Sequence, residues 1–261
     1  MFPVGVYNVE DYPLNWIDGT YYSTYKGNTF QVSSIENVKS EAQYNAVTTI
    51  DLRNQTLTTN FTGTFLNKFD NLSALYCFGN QITILDASQL TSLTILYCYN
   101  NQLTALDVSQ LVNLNNLQCY NNQIAALDVS QLVDLTVLRC ELNQISILDV
   151  SQLVDLEYLF CDNNQITTLD VSQLVNLIIL RCSSNQITTL DVSQLVNLNN
   201  LQCQSNQLDA ATNSQILIDL DANGLSNGYL QSSIFGGGTL TAAGQTAKTN
   251  LLSKGWTIVG I

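Results

Sequence analysis

Between Leu72 and Leu208 the apolar residues follow short rhythms set inside a longer one. In the stretch from Leu93 to Leu114, Leu93, Leu96 and Cys98 alternate with outward positions, the period of a short strand with one buried face. Asn101 follows where the chain must turn away, and a buried Asn amide can bond backbone groups of such a turn. Leu103 and Leu106 point back to the core. Asp107 precedes Val-Ser-Gln, so its carboxylate is placed to cap the N–H groups of a short helical turn. Leu111 and Leu114 close the coil and lead into the next strand.

That coil recurs every 21 residues. Cys77, Cys98, Cys119, Cys140, Cys161, Cys182 and Cys203 mark it, and they are all the cysteines of the chain. Asn80, Asn101, Asn122, Asn143, Asn164, Asn185 and Asn206 keep the same step. One unit, Leu96 to Asn116, reads L-Y-C-Y-N-N-Q-L-T-A-L-D-V-S-Q-L-V-N-L-N-N. A single coil cannot bury its own apolar edge, so neighbours must stack into one continuous core with parallel strands roughly 4.8 Å apart. The cysteines are expected to be free, buried and structural. In-register neighbours do not present sulfurs in a disulfide dihedral, and neither a Cys-x-x-Cys pair nor a histidine accompanies them.

The repeat weakens at both ends. Ile50 to Leu57 reads as a degenerate first copy, with extra residues bulging near Asn60–Thr64 before Phe69 and Leu72 rejoin the pattern. Residues 1–49 hold nine of the 22 aromatics, among them Tyr7, Trp16, Tyr21, Tyr22, Tyr25 and Phe30. They predict either a cap over the first coil or a docking segment, with a strand at Gly19–Gly27, a turn at Lys26-Gly27-Asn28 and a helical turn at Ser40–Tyr44. After Leu208, the sequence predicts a helix over Ser214–Asp221 ended by Asn223-Gly224, a loop at Gly236–Gly238, a helix over Thr241–Lys254 and a last strand from Trp256.

The period and the pattern L-x-x-L-x-L/C-x-x-N-x-L resemble leucine-rich repeats, in particular the short bacterial class. The resemblance covers over half the chain. It implies an α/β solenoid: a right-handed superhelix with a parallel sheet on its concave face, a 3₁₀ or irregular convex face, and a cap at each end. The division is then 1–49 as N-terminal cap or docking segment, 50–208 as solenoid and 209–261 as C-terminal cap. The tail L-D-A-N-G-L-S-N-G … L-L-S-K-G-W-T-I-V-G-I is similar to tails of bacterial and phage-borne repeat proteins. The family implies recognition of proteins or glycans on the concave face.

Charge narrows the choice of partner. Twenty-one acidic against 8 basic residues give a net charge of −13, which opposes nucleic acid and anionic membranes. Without histidine there is no imidazole base, no Ser-His-Asp or Cys-His pair and no histidine metal ligand. No phosphate loop, nucleophile elbow or paired acid/base constellation is present, so no enzyme and no cofactor is expected. The start of the chain lacks the basic and apolar regions of a secretory leader, and no segment approaches the length of a membrane span. Those features point to the cytoplasm, or to a virion or surface assembly reached without conventional secretion.

Comparing the copies separates scaffold from candidate site. The columns N-Q-[IL]-x-x-L-D-x-S-Q-L barely change, whereas the outward strand positions vary. One column reads Ala74, Ile95, Asn116, Val137, Tyr158, Ile179, Asn200; the next Tyr76, Tyr97, Gln118, Arg139, Phe160, Arg181, Gln202; the third Phe78, Tyr99, Tyr120, Glu141, Asp162, Ser183, Gln204. From these, Tyr76, Phe78, Tyr97, Tyr99, Tyr120, Arg139, Glu141, Tyr158, Phe160, Asp162 and Arg181 are the candidate binding residues, since aromatics beside arginine favour protein or carbohydrate contacts. The same aromatics could instead stabilise the sheet by packing on each other. The Asp column (Asp86, Asp107, Asp128, Asp149, Asp170, Asp191) reads as turn caps rather than a cation ladder. Asp219-Leu-Asp221-Ala-Asn223-Gly224 resembles the start of a calcium loop, but its twelfth position is Leu230, where that loop needs a glutamate. The expected role is a non-enzymatic recognition or attachment module. The alternative is a structural component of a larger particle, such as a phage virion decoration or fibre, assembling through residues 1–49 or 209–261.

Overall fold

A computed structural model describes residues 48–54, 66 and 69–261 in full, and before them the backbone of four strands, β1 (Tyr7–Asn8), β2 (Leu14–Ile17), β3 (Thr20–Tyr25) and β4 (Asn28–Val32). β5 (Thr49–Asp51) opens the repeats. The strands β6 (Ala74–Tyr76), β7 (Ile95–Tyr97), β8 (Asn116–Gln118), β9 (Val137–Arg139), β10 (Tyr158–Phe160), β11 (Ile179–Arg181) and β12 (Asn200–Gln202) follow at the 21-residue step. All pair in parallel with their sequence neighbours, so residues one repeat apart stand side by side: Leu96 on Leu117, Leu117 on Leu138. Ile50 registers with Leu75, placing the degenerate copy in the same column.

Each rung buries what its pattern says it should. Leu96, Cys98, Leu103, Leu111 and Leu114 are fully enclosed, and their counterparts join one core from Ile50 to Trp256. Asparagine closes the turn after each of β6–β12, from Asn80 to Asn206. Asn122 Nδ2 donates to the carbonyls of Cys119 and, one rung back, of Cys98, while its Oδ1 accepts from the Leu103 N–H. The ladder thus satisfies the buried backbone groups that the end of a three-residue strand would orphan. The residue just before each ladder asparagine is left-handed: Gly79, Asn100, Asn121, Leu142, Asn163, Ser184 and Ser205 all have positive φ. On the far side the chain makes successive four-residue turns, as in Leu111 N–H to Val108 O and Leu114 N–H to Leu111 O. The Asp107 carboxylate accepts from the Ser109 N–H and hydroxyl at 3.0 and 2.7 Å, holding the first of these turns.

Within the strand expected at Gly19–Gly27, β3 spans Thr20–Tyr25; it pairs antiparallel with β4, Tyr25 opposite Asn28, and β2 adds a third strand, while Lys26 and Gly27 of the expected turn lie outside the described residues. β1 pairs in parallel with β5, at the edge of the main sheet. The helical turn expected at Ser40–Tyr44 and the bulge at Asn60–Thr64 lie outside the described residues.

Past Leu208 the sheet continues. α1 (Ala210–Ala222) begins four residues earlier than expected, because Asp209 rather than a later residue caps it, accepting from the Thr212 N–H at 2.7 Å. β13 (Tyr229–Gln231), which the periodicity did not reveal, takes the next place in the sheet with Leu230 beside Leu201. α2 (Ala242–Ser253) is capped by Thr241, and Gly255 leaves it at φ 85°. β14 (Thr257–Val259) ends the eleven-stranded sheet. Two longer coils, each containing a helix between its strands, therefore extend the stack of short ones.

Candidate functional site

In β7–β12 the pleat puts the middle residue of each strand in the core and its two ends on the outer face of the sheet, and the residue after the buried cysteine follows them in sequence. Register then lines these outward residues into three columns running across the strands. Tyr158 stands in the first, between Val137 and Ile179. The remaining candidate residues lie in the other two.

Rings fill the third column at its N-terminal end. Phe78 stacks on Tyr99, and Tyr99 on Tyr120, with centroids 4.3 Å apart in both cases and planes within 12° and 9° of parallel. In the second column Tyr76 meets Tyr97 edge to face at 5.2 Å. The rings are half-buried, and Tyr99 is covered on both faces, by Phe78 and by Tyr120. Burial pushes the Tyr99 hydroxyl up to about 12, with Tyr120 adding to the rise and Arg139 opposing it.

Arg139 joins the two halves of the face. Its guanidinium lies 4.4 Å from the centroid of Tyr120 and 5.2 Å from that of Phe160, and Arg181 lies 5.5 Å from Phe160 on the other side. Such cation–π contacts fix two long side chains that would otherwise be free.

Beyond Tyr120 the third column changes from rings to acceptors. Glu141 is only 8% exposed and Asp162 only 2%, far more buried than outward-facing carboxylates ordinarily are. Glu141 Oε1 accepts from Arg139 Nε at 3.0 Å and also pairs with Nη2. Asp162 Oδ1 accepts from the Ser183 hydroxyl at 2.6 Å and its N–H at 3.2 Å. Arg181 Nε is 3.3 Å from Asp162 Oδ2, an ion pair without hydrogen-bond alignment. Three acceptor atoms at this end are buried and lack a hydrogen-bond donor: Glu141 Oε2, Asp162 Oδ2 and Gln204 Oε1.

The structure thus gathers Phe78, Tyr99, Tyr120, Glu141 and Asp162 into one column and couples Arg139, Phe160 and Arg181 to it; Tyr76 and Tyr97 flank the ring end, and Tyr158 lies off the track. Ser183 and Gln204 complete the acceptor end. Their column membership was legible in the sequence, but their role depends on burial and partners that a single repeat does not reveal.

The rest of the possible chemistry is quiet. All seven thiols are free and fully buried, and burial pushes Cys77, Cys119 and Cys203 up to about 12. Asp219 and Asp221 are helical and occupied, Asp219 Oδ1 by Gln215 and Asp221 by Lys254 and Asn250, and Leu230 is a core strand residue. No calcium loop exists there. Among the described residues no cluster of three or more Asp, Glu or Cys is placed to hold a metal ion. No helix among them is long and apolar enough to cross a membrane.

Comparison with known proteins agrees with this architecture. A family model described as leucine-rich repeats, two copies, matches residues 70–111. A search of curated proteins returned no match. Among solved structures, internalin C2 of Listeria monocytogenes is 28% identical over 66% of this chain and 77% of its own, with a TM-score of 0.60. A leucine-rich repeat protein of Leptospira interrogans is 27% identical over 84% of this chain and 62% of its own, with a TM-score of 0.66. The leucine-rich repeat ectodomain of the Arabidopsis thaliana receptor kinase GASSHO1/SCHENGEN3, solved in complex with CASPARIAN STRIP INTEGRITY FACTOR 2, shares the fold at 22% identity, over 84% of this chain and 27% of its own, with a TM-score of 0.69.

Proposed function

We propose that this leucine-rich repeat protein is a non-enzymatic recognition module that binds another protein on the outer face of its sheet. The observation that carries the reading is the row Phe78–Tyr99–Tyr120 with Arg139 on its end: large, half-exposed rings held rigid by one another on the face whose residues differ from rung to rung. Rings that are already ordered lose little conformational freedom on binding, which is why tyrosine and arginine dominate interface hot spots. The opposite side repeats nearly the same residues in every coil, as a scaffold should. The two readings of the aromatics are compatible, because the rings pack on each other and stay part-exposed. The Arabidopsis ectodomain carries its named factor on this fold, which supports a protein partner in general; a particle component displaying its repeats draws no support from the matched structures.

The test is a selection of binders from displayed protein fragments, scored on three forms of the chain. Tyr97→Ala with Tyr99→Ala should weaken selected binders at least about thirtyfold, a hot-spot loss of roughly 2 kcal/mol. Val133→Lys on the opposite side should leave them unchanged. Melting temperatures of all three forms should agree within a few degrees. Binders lost to the Val133 variant but indifferent to the tyrosines would refute the assignment, and a large fall in stability on removing the tyrosines would leave them a packing role alone.

A further inference from the structure

We infer that Tyr97 and Tyr99 form an oxidative cross-linking site, at which a one-electron oxidant of the haem peroxidase class, working with hydrogen peroxide, joins their rings ortho to ortho. The assignment is independent of the binding reading above, and the bridge would fix two rings that reading uses.

Proximity and exposure gather the reactants. Tyr97 and Tyr99 stand on either side of the buried Cys98, with ring centroids 6.4 Å apart and planes inclined at 45°. Both residues are part-exposed, so an oxidant at the surface can take an electron from either. Tyr76 lies 5.2 Å from Tyr97 and Tyr120 lies 4.3 Å from Tyr99, so a radical formed on an outer ring can pass inward. Two radicals held on one strand meet without diffusing.

Backbone spacing decides which pair couples. An ortho–ortho bond sets two rings edge to edge in one line, so the carbons that attach them to the chain stand well apart. Tyr99 and Tyr120 stack face to face on adjacent rungs, about 4.8 Å apart, and the Asn100 N–H to Tyr120 O bond at 3.0 Å holds those rungs together. Tyr76 and Tyr97 are register partners on β6 and β7 and share that short spacing. The bonds from Cys98 N–H to Gln118 O and from Asn100 N–H to Tyr120 O carry the ladder of β7 on past Tyr97. Residues two apart along such an extended chain stand about 6.6 Å from each other, which leaves room for the in-line product.

The thiol between them does not compete. Cys98 is enclosed, and burial holds its proton on well beyond the ordinary thiol range. A thiol that cannot release its proton does not repair a tyrosyl radical.

The chemistry balances. Each phenol gives up one electron and its hydroxyl proton, leaving a radical whose spin reaches the ortho carbons. One ortho carbon of each ring joins the other in a C–C bond, and their two hydrogens return to the phenolic oxygens as aromaticity is restored. The two electrons and two protons released reduce one peroxide, whose O–O bond breaks to give two waters.

The experiment treats the whole chain, kept dilute, with haem peroxidase and hydrogen peroxide, and reads intact mass, biaryl fluorescence and tandem mass spectra. The expected product is a fluorescent monomer lighter by two hydrogens, whose peptide yields no fragments from cleavage between Tyr97 and Tyr99. Tyr97→Phe and Tyr99→Phe should each abolish it, whereas Tyr76→Phe and Tyr120→Phe should retain it. Each change removes one hydroxyl from a part-exposed ring, and equal melting temperatures of the four variants check that the packing stays. A bridge mapped between rungs, from Tyr76 to Tyr97 or from Tyr99 to Tyr120, would overturn the assignment. So would loss of the product in Tyr76→Phe or Tyr120→Phe, coupling seen only between chains or only among Tyr21, Tyr22 and Tyr25, or no coupling at all. None of these outcomes measures binding, so the recognition reading stands or falls separately.

Discussion

At the scale of single residues, two columns do the conformational work of each turn. The ladder asparagines, such as Asn122, fill backbone valences on two rungs at once. The residues before them accept a left-handed backbone, which costs an ordinary L-residue roughly 1–2 kcal/mol and asparagine or glycine much less. Leu142 is the apolar member of that column, at φ 57° and 49% exposed between Asn121 and Asn163. Asn121 Nδ2 donates to Asn100 Oδ1 along the column at 2.8 Å, and a leucine can neither continue nor receive such a bond. Leu142→Asn should therefore stabilise the chain by about 1 kcal/mol, relieving backbone strain at small loss of buried area. The urea midpoint is the measurement. A midpoint that stays or falls would show that the half-exposed leucine contributes more by packing than it costs by strain.

Among the elements, the outer turns are tied by charge and the strands by burial. Hydrogen bonds from serine hydroxyl and amide hold the carboxyls of Asp107, Asp128, Asp149 and Asp170 below the ordinary carboxylate range. A carboxyl depressed in the folded state contributes stability above its unfolded value, near 3.9, and loses it as pH falls through the folded one. Each group is open to solvent, so the individual effects are small, but they repeat in register. The melting temperature should thus decline from about pH 4 downward, and a variant with asparagine at all four positions should show a flatter acid limb. Equal limbs would mean the turns hold without the carboxylates' charge. The same elements show how far the sequence could be read. The short coils were legible because burial repeats at fixed spacing, and β3 because its run of Thr and Tyr lies between glycines. β13 was not: a helix inserted between Asn200 and Tyr229 stretches the step to 29 residues, so Tyr229-Leu230-Gln231 falls out of a 21-residue comparison although it repeats the Asn200-Leu201-Gln202 environment. The candidate columns were legible from variation between copies. The enclosure of Glu141 and Asp162 was not, because burial is a property of neighbours on other rungs.

The whole molecule is one core built by stacking, and its cysteine column makes that core sensitive to alkali. Seven thiols stand one per rung, all enclosed, each with its ionisation pushed up by burial and several further by a neighbouring cysteine. The sign follows from protonation. The unfolded chain releases these protons from about pH 8.5, whereas the folded chain keeps them to about 12 at Cys77, Cys119 and Cys203. Their contribution is therefore complete below about pH 8.5 and is lost as pH rises toward the folded values, at up to about 1.4 kcal/mol per pH unit for each thiol. In a solenoid, where each rung contacts only its neighbours, the losses sum along the stack. Replacing Cys98, Cys140 and Cys182 by alanine should lower stability at neutral pH through lost packing, yet make its fall between pH 8.5 and 10.5 visibly shallower. Urea unfolding across that range separates the two effects, because packing shifts the curve and titration changes its slope. Parallel curves for the two proteins would mean that the thiols ionise in the folded state, and hence that the stack opens to hydroxide without unfolding.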